Sequence, residues 1–158
     1  MRGNEKVIEL LNEALKAELT AINQYFLHAK MCENWGYLRL AAHSREESID
    51  EMKHADSLME RILFFEGTPN MSELFPLRIG ANVKEQLAND LALELEACPR
   101  LNRAIRAATE AGDNGSRELF EEILEEEEHH VDWLEAQIHM IDEIGLDNYL
   151  AKQMHKAG

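Results

Sequence analysis

The tetrapeptide EMKH at residues 51–54 carries a glutamate and a histidine three positions apart, and EEHH at residues 127–130 repeats that spacing. Side chains three positions apart on an α-helix are neighbours, so each glutamate lies on the same helical face as its histidine. The two tetrapeptides are separated by 76 residues, which predicts two equivalent helices. The candidate metal ligands in these two helices are Glu51, His54, Glu127 and His130.

A lone glutamate completes the pattern in each half of the chain. Glu18 and Glu94 each precede their Glu-x-x-His pair by 33 residues, and they are themselves 76 residues apart. Each lies on a stripe of apolar residues at helical spacing, where a charged side chain is unexpected. The chain therefore contains one helical-hairpin ligand set twice. A pseudo-twofold relation between the hairpins would bring all six side chains to one centre.

Apolar periodicity and capping signals predict the elements that carry these residues. Asn4, Asn82 and Asp147 are candidate N-caps. The predicted helices span about residues 5–34, 37–66, 82–111, 116–143 and 148–155. Residues 67–81 have no clear period and predict a long connection. This order predicts an all-α, ferritin-like four-helix bundle with one long crossover and a short C-terminal fifth helix, as a single domain over residues 1–158.

Pro99 conflicts with the third predicted helix. Proline inside a helix removes one hydrogen bond and clashes with the preceding turn, at a cost of about 3 kcal/mol or a kink. We therefore expect one helix with a bend near residues 95–99. A helix that ends at Cys98 is the alternative.

Four carboxylates and two imidazoles inside one bundle predict a two-metal centre. An unpaired buried charge costs several kcal/mol, and four carboxylates would also repel each other. Cations resolve both problems. A glutamate from each of two helices and Glu-x-x-His from each of the other two is the ligand pattern of di-iron and di-manganese carboxylate bundles. Oxygen ligands with one imidazole per metal suit iron.

Composition narrows the classes of partner. The 158 residues include 31 Asp and Glu against 16 Lys and Arg, which gives a net charge of −15. This charge argues against nucleic acid and against an anionic membrane surface, and it favours cations. The N-terminus shows no signal peptide, and the isolated Cys32 and Cys98 suit a reducing compartment. We expect a cytoplasmic protein without a membrane segment.

The sequence resembles the bacterioferritins along essentially its whole length. The stretches that carry the resemblance are AINQYFLH at 21–28, ESIDEMKHAD at 47–56, RIL at 61–63 and GLDNYL at 145–150. The family's ferroxidase ligands match Glu18, Glu51, His54, Glu94, Glu127 and His130. Its haem ligand matches Met52, which follows Glu51 and so points about 100° away from the metal-facing side of the helix.

The resemblance implies iron storage. A hollow shell of twenty-four identical subunits, built of twofold dimers, would oxidise Fe(II) with O2 or H2O2 and store a ferric mineral. It also implies a haem b shared between two subunits, each supplying Met52, and usually a small ferredoxin that reduces the stored iron.

The resemblance also implies roles within a di-iron centre of two iron ions per subunit. Glu51 and Glu127 would bridge the two ions, and Glu18 and Glu94 would be mainly terminal ligands. The two histidines would each hold one ion. Tyr25 would be a partner of the ligands or an electron donor.

Two positions depart from the family pattern. Glu46 stands where members often carry histidine, which puts an auxiliary iron site in doubt. Leu58 stands where some members carry a second redox tyrosine, so a radical relay would rest on Tyr25 and Trp133.

Two other readings remain open from the residues. One is a different di-metal enzyme on the same bundle, such as a rubrerythrin-like peroxidase, an oxygenase or a manganese catalase. A rubrerythrin normally carries an additional four-cysteine iron domain, which two isolated cysteines do not supply. The other is a non-enzymatic acidic bundle that buffers metal or acts as a scaffold.

Overall fold

A computed structural model describes residues 1–155 of the chain. These residues form helices α1 Glu5–Trp35, α2 Leu38–Phe64, α3 Val83–Glu110, α4 Asn114–Ile144 and α5 Leu146–Gln153. The predicted all-α architecture, with four long helices, one long crossover and a short fifth helix, is confirmed. Each helix begins and ends within two residues of its predicted position.

The four long helices are arranged as two hairpins. α1 packs mostly against α2, and α3 packs mostly against α4. The hairpins meet mainly along α1 and α3, and residues 65–82 connect them. This arrangement places the two halves of the sequence repeat side by side, as the 76-residue offset requires.

Polar side chains of α1 hold the crossover connection in place. The backbone amide of Phe75 donates to Thr20 Oγ1 (2.9 Å), and that of Gly80 donates to His28 Nε2 (3.1 Å). The other His28 nitrogen lies 3.0 Å from the buried Asp90 carboxylate of α3. His28 therefore has a structural role, since both of its ring nitrogens are occupied by protein groups.

Helix starts follow local capping. The Asn4 and Asn82 side chains accept hydrogen bonds from the amides of the first turns, as predicted. α4 begins at Asn114, two residues earlier than predicted, because the Asp113 carboxylate accepts from the amide of Ser116. The prediction that Asp147 caps α5 is wrong. This helix begins at Leu146, directly after Gly145, and has no side-chain cap.

Pro99 does not end α3, which continues from Val83 to Glu110. The alternative end at Cys98 is therefore wrong. Pro99 and Leu95 are both exposed, so water can hydrate the Leu95 carbonyl group that loses its amide partner.

Two apolar clusters lie at opposite ends of the bundle, and the candidate metal ligands lie between them. One cluster includes Leu11, Leu15, Leu58, Ile62, Phe120 and Ile123. The other includes Cys32, Leu40, Leu87, Leu134, Ile141 and Tyr149. Both cysteines are free thiols. In residues 1–155, every helix is too short or too polar to cross a membrane.

Candidate metal centre

All six predicted ligands are buried in the middle of the bundle. Each long helix contributes: α1 and α3 one glutamate each, α2 and α4 a glutamate and a histidine each. The four carboxylates are at most 5% exposed and the two histidines are 8% exposed. Such burial of four acidic side chains is unfavourable unless another charge or proton compensates it.

The six side chains form two overlapping groups. In each group, one ligand atom from every member lies within 4.8 Å of those of the others. Glu51 and Glu127 belong to both groups. The first group is completed by Glu18 and His54, and the second by Glu94 and His130. These two groups can therefore hold two adjacent cations that share the carboxylates of Glu51 and Glu127.

Each candidate ligand has one buried polar atom without a hydrogen-bond partner among the described residues. Buried polar atoms are normally paired, so six such atoms converging on one place indicate a missing partner. Carboxylate oxygens and unprotonated imidazole nitrogens are ligands for divalent cations. The six atoms are Glu18 Oε2, Glu51 Oε1, His54 Nδ1, Glu94 Oε2, Glu127 Oε1 and His130 Nδ1.

The two imidazoles face the centre through the same nitrogen. His54 Nδ1 lies 3.4 Å from Glu18 Oε2 and 3.5 Å from Glu127 Oε1. His130 Nδ1 lies 3.3 Å from Glu51 Oε1 and 3.6 Å from Glu127 Oε2. Both Nδ1 atoms are therefore directed at the shared carboxylates, and both Nε2 atoms point away from the centre.

When no cation is bound, protons on the ligand side chains offset the cost of burying their charges. Burial and the neighbouring Glu18 and Glu127 raise the pKa of Glu51 well above its ordinary value. Burial alone would lower the pKa of His54 and His130, but the carboxylates around them raise it to about 10. A cation that enters must displace these protons.

Two outer carboxylates were missed as partners of the imidazoles. His54 Nε2 forms a hydrogen bond with Glu126 Oε2 (2.5 Å). His130 Nε2 lies close to Glu47 Oε2, although that oxygen has no hydrogen-bond partner among the described residues. Burial would raise the pKa of Glu47, but its contacts with His130 and His43 lower it to about 2. A metal-bound histidine normally gives its second N–H to such a group, and that requirement is the signal that could have found both residues.

Tyr25 contacts the ligand set, as predicted. Its hydroxyl donates to Glu94 Oε1, and its ring is 3% exposed. Burial and the nearby Asp90 raise the pKa of Tyr25 well above its ordinary value, so it remains a hydrogen-bond donor. Trp133 has no such contact with the ligands but stacks on His43, with ring centroids 3.5 Å apart.

The two departures from the family pattern lie in different surroundings. Leu58 is fully buried in the apolar cluster beside the centre. Glu46 is exposed. It is not a member of a third group of possible ligands, which is formed by the half-buried Glu47 and Asp50 with His130.

Met52 lies outside the centre, on the surface of α2. Its side chain is 47% exposed, whereas the adjacent Glu51 is 1% exposed. The neighbouring Ile49 and Phe26 are also exposed, by 43% and 48%. Arg45, one turn before Ile49, lies over the Phe26 ring. Met52 and Ile49 lie three positions apart on one exposed face of α2, and Arg45 of the same helix links this exposed surface to Phe26 of α1.

Comparisons with known proteins identify the family of the chain. The Ferritin-like domain family matches residues 8–144. The chain is 49% identical to a bacterioferritin of Mycolicibacterium paratuberculosis over 152 residues, which covers 96% of each chain. It is 50% identical to one of Brucella melitensis (94% of this chain, 92% of the relative) and 49% identical to one of Streptomyces coelicolor (96% and 90%). The chain belongs to the bacterioferritins, within the ferritin-like proteins.

Proposed function

We propose that this bacterioferritin stores iron by oxidising Fe(II) at the centre between its four long helices. The observation that carries the proposal is the convergence of six buried polar atoms without partners, one from each candidate ligand. The ligands that we assign to this ferroxidase centre are Glu18, Glu51, His54, Glu94, Glu127 and His130.

Some of the carboxylates belong to both ligand groups and others to only one, which supports distinct roles for them. Glu51 and Glu127 occur in both groups, so we assign them as bridges between two Fe(II) ions. Glu18 and His54 would complete one position. Glu94 and His130 would complete the other. Bridging carboxylates hold two cations together because their negative charge offsets the repulsion between the cations.

The ligand set favours oxidation of the bound substrate. Hard carboxylate oxygens interact more strongly with Fe(III) than with Fe(II), so the centre lowers the free energy of the oxidised product. Two Fe(II) ions together supply the two electrons that reduce O2 to peroxide or peroxide to water. Metal binding displaces one proton from each of His54 and His130. Both imidazoles are then neutral and able to coordinate a metal ion.

The exposed surface around Met52 fits a haem b shared between two subunits. A thioether is a soft ligand suited to haem iron, and the exposed Ile49 and Phe26 would cover the faces of an apolar macrocycle. In a twofold contact each residue occurs twice, so one Met52 per chain would supply both axial ligands. The haem would carry electrons inward to release stored iron.

We further propose a closed shell of twenty-four identical subunits, built of twofold dimers. A net charge of −15 per subunit, multiplied over an assembly, attracts cations to the enclosed space. We place the shell in the cytoplasm, with a small ferredoxin as the reductant of the stored iron and O2 or H2O2 as the oxidant.

Paired variants on α4 test the assignment of the centre. Glu127→Ala removes a proposed bridge, and Glu128→Ala removes its exposed neighbour. Stopped-flow absorbance of the ferric product should show a fast phase in wild type and in Glu128→Ala. The same phase should be at least about tenfold slower in Glu127→Ala, the lower end of effects seen at metal sites. Equal rates in the two variants would contradict the assignment.

A further inference from the structure

The backbone of the crossover is attached to one polar face of α1. Side chains separated by multiples of four residues lie on that face, and each accepts a hydrogen bond from a backbone N–H group of the crossover. The pairs are Asn70 with Asn12 Oδ1 (2.8 Å), Phe75 with Thr20 Oγ1 (2.9 Å), Arg78 with Gln24 Oε1 (3.1 Å) and Gly80 with His28 Nε2 (3.1 Å). Among these acceptors, the imidazole of His28 is of the type that can take up a proton near neutral pH.

The contacts of His28 determine which of its nitrogens carries a proton. A backbone amide can only donate, so Nε2 must present its lone pair to Gly80. The single proton of the neutral ring is then on Nδ1, which lies 3.0 Å from Asp90 Oδ1 and donates to it. Gln24 Nε2 donates to the same carboxylate oxygen (2.8 Å), which holds that oxygen beside the ring.

The surroundings of Gly80 leave its amide group little freedom while the crossover is in place. Gly80 is buried, and a side chain at this position would collide with the backbone of Gln86 on α3. The Gly80 carbonyl group accepts from Gln86 Nε2 (3.3 Å). Gly80 N and His28 Nε2 are in direct contact, so no water molecule lies between them.

We propose that the contact between His28 and Gly80 is a pH-sensitive attachment of the crossover to α1. When the pH falls and Nε2 takes up a proton, two N–H groups face each other and the hydrogen bond is lost. The segment around Gly80 then moves away from α1, so that water solvates both groups. The amides of Phe75 and Arg78 keep their uncharged acceptors, so the release is confined to this end of the crossover.

The negative charge of Asp90 does not cancel this effect. Asp90 belongs to α3 and stays next to Nδ1 whether or not Gly80 is attached, so its attraction for a charged ring is similar in both states. The attached and released states differ at Nε2, where only the released state accommodates a proton. The released state therefore binds more protons, and a fall in pH favours it.

Other ionisable groups lie near His28 and Asp90. Burial and the charge of Asp90 raise the pKa of Cys32 to about 12 and that of Tyr25 well above its ordinary value, so both stay neutral. The remaining groups line the cavity beside Asp90 or belong to the crossover, and they are His43 and Glu47 of α2, His130 of α4, and Arg78 with its partner Glu96. Because His43 is also a histidine, it needs a control variant of its own.

Release of this segment changes an exposed apolar surface. Leu77 and Ile79 lie next to Gly80 on the crossover and are 39% and 37% exposed. Exposed apolar surfaces serve contacts between proteins. The attachment at His28 thus makes the shape of such a surface depend on pH, independently of the metal centre.

Hydrogen exchange of the full-length protein, resolved to single amides by mass spectrometry, tests this attachment. Between about pH 8 and about pH 5, the Gly80 amide should lose protection by at least about fivefold relative to the amides of Phe75 and Arg78. This ratio cancels the pH dependence of intrinsic exchange. His28→Gln offers an amide oxygen to Gly80 and an amide N–H to Asp90 without titrating, so its ratio should change by less than about twofold.

Control variants assign the effect to the His28 ring. His28→Asn is a second variant without a titrating ring, in case the glutamine variant misfolds, and it should leave the Gly80 amide weakly protected at every pH. His43→Gln and the exposed His139→Gln should keep the pH dependence of the wild-type protein. Parallel protection of the three amides at every pH in the wild-type protein would overturn the proposal. So would a wild-type pH dependence in His28→Gln, or its loss in His43→Gln.

Discussion

Replacing Glu51 by glutamine should stabilise the metal-free protein and weaken the stabilisation that metal ions provide. Glu51 is 1% exposed and lies among the carboxylates of Glu18 and Glu127. Without a cation, its ionised form is opposed both by burial and by repulsion. Glutamine has the same size and no charge, so it removes this cost, but it is a poor bridge between two cations.

The raised pKa of Glu51 determines how the stability difference between Glu51→Gln and the wild-type protein changes with pH. The folded state favours the protonated Glu51 carboxyl group, so the stability that this group contributes is complete below its ordinary pKa of 4.5. That stability is lost as the pH rises through the higher pKa of the folded state. The advantage of Glu51→Gln should therefore be absent near pH 4 and grow as the pH rises.

The expected magnitude is about 1–4 kcal/mol, by analogy with buried ion pairs that are replaced by uncharged residues of similar volume. For a chain of about 150–250 residues, each 1 kcal/mol shifts Tm by about 2–4 °C. A metal ion at 100 times its Kd stabilises the wild-type protein by about 2.7 kcal/mol. The variant should lose most of that gain, so its advantage over the wild-type protein should shrink by about 2 kcal/mol or more when metal is added.

Differential scanning calorimetry with and without Co(II), at fixed protein concentration, measures both effects. Glu60→Gln, an exposed glutamate on the same helix, is the matched control and should change Tm by little in either condition. A metal-free Glu51→Gln protein with a lower Tm than wild type at pH 8 would refute the argument that this carboxylate opposes folding.

Three further variants probe other parts of the molecule. Met52→Leu should abolish the haem absorption spectrum and leave Fe(II) oxidation intact, whereas the exposed Met140→Leu should change neither. Arg61→Met removes the ion pair that ties α2 to the start of α4 and should destabilise by about 1–3 kcal/mol in calorimetry, since that pair is partly buried. Leu58→Ala leaves a cavity at a fully buried position and should destabilise by about 2–5 kcal/mol, seen as a lower Tm.

The ligand residues could be predicted from the sequence because their chemistry conflicts with their position. Glu18 and Glu94 lie on apolar stripes where a charge is costly, and their equal spacing from the two Glu-x-x-His pairs links them to one site. Spacing along a helix determines which face a residue occupies, so the inward direction followed from the periodicity alone.

The outer partners could not be predicted in this way because they depend on contacts between helices. Glu126 stands in a run of acidic residues that resembles a solvated face, and only the position of His54 on another helix distinguishes it. Glu47 and Tyr25 have apolar residues at the equivalent positions of the repeat, so the 76-residue offset gives no signal for them. The same holds for His28, whose contacts with the crossover depend on the tertiary fold.

The position of the centre between two apolar clusters explains how the fold tolerates it. A centre of buried carboxylates opposes folding when no cation is bound, so other parts of the bundle must stabilise the structure. Fully buried residues such as Leu58 and Ile123 on one side, and buried residues such as Leu134 on the other, provide that stabilisation within the same helices that carry the ligands. Because these helices are held at both ends, the ligands remain close together before a metal ion arrives. A cation that binds there replaces the protons on Glu51, His54 and His130, and its charge offsets the repulsion among the ionised carboxylates.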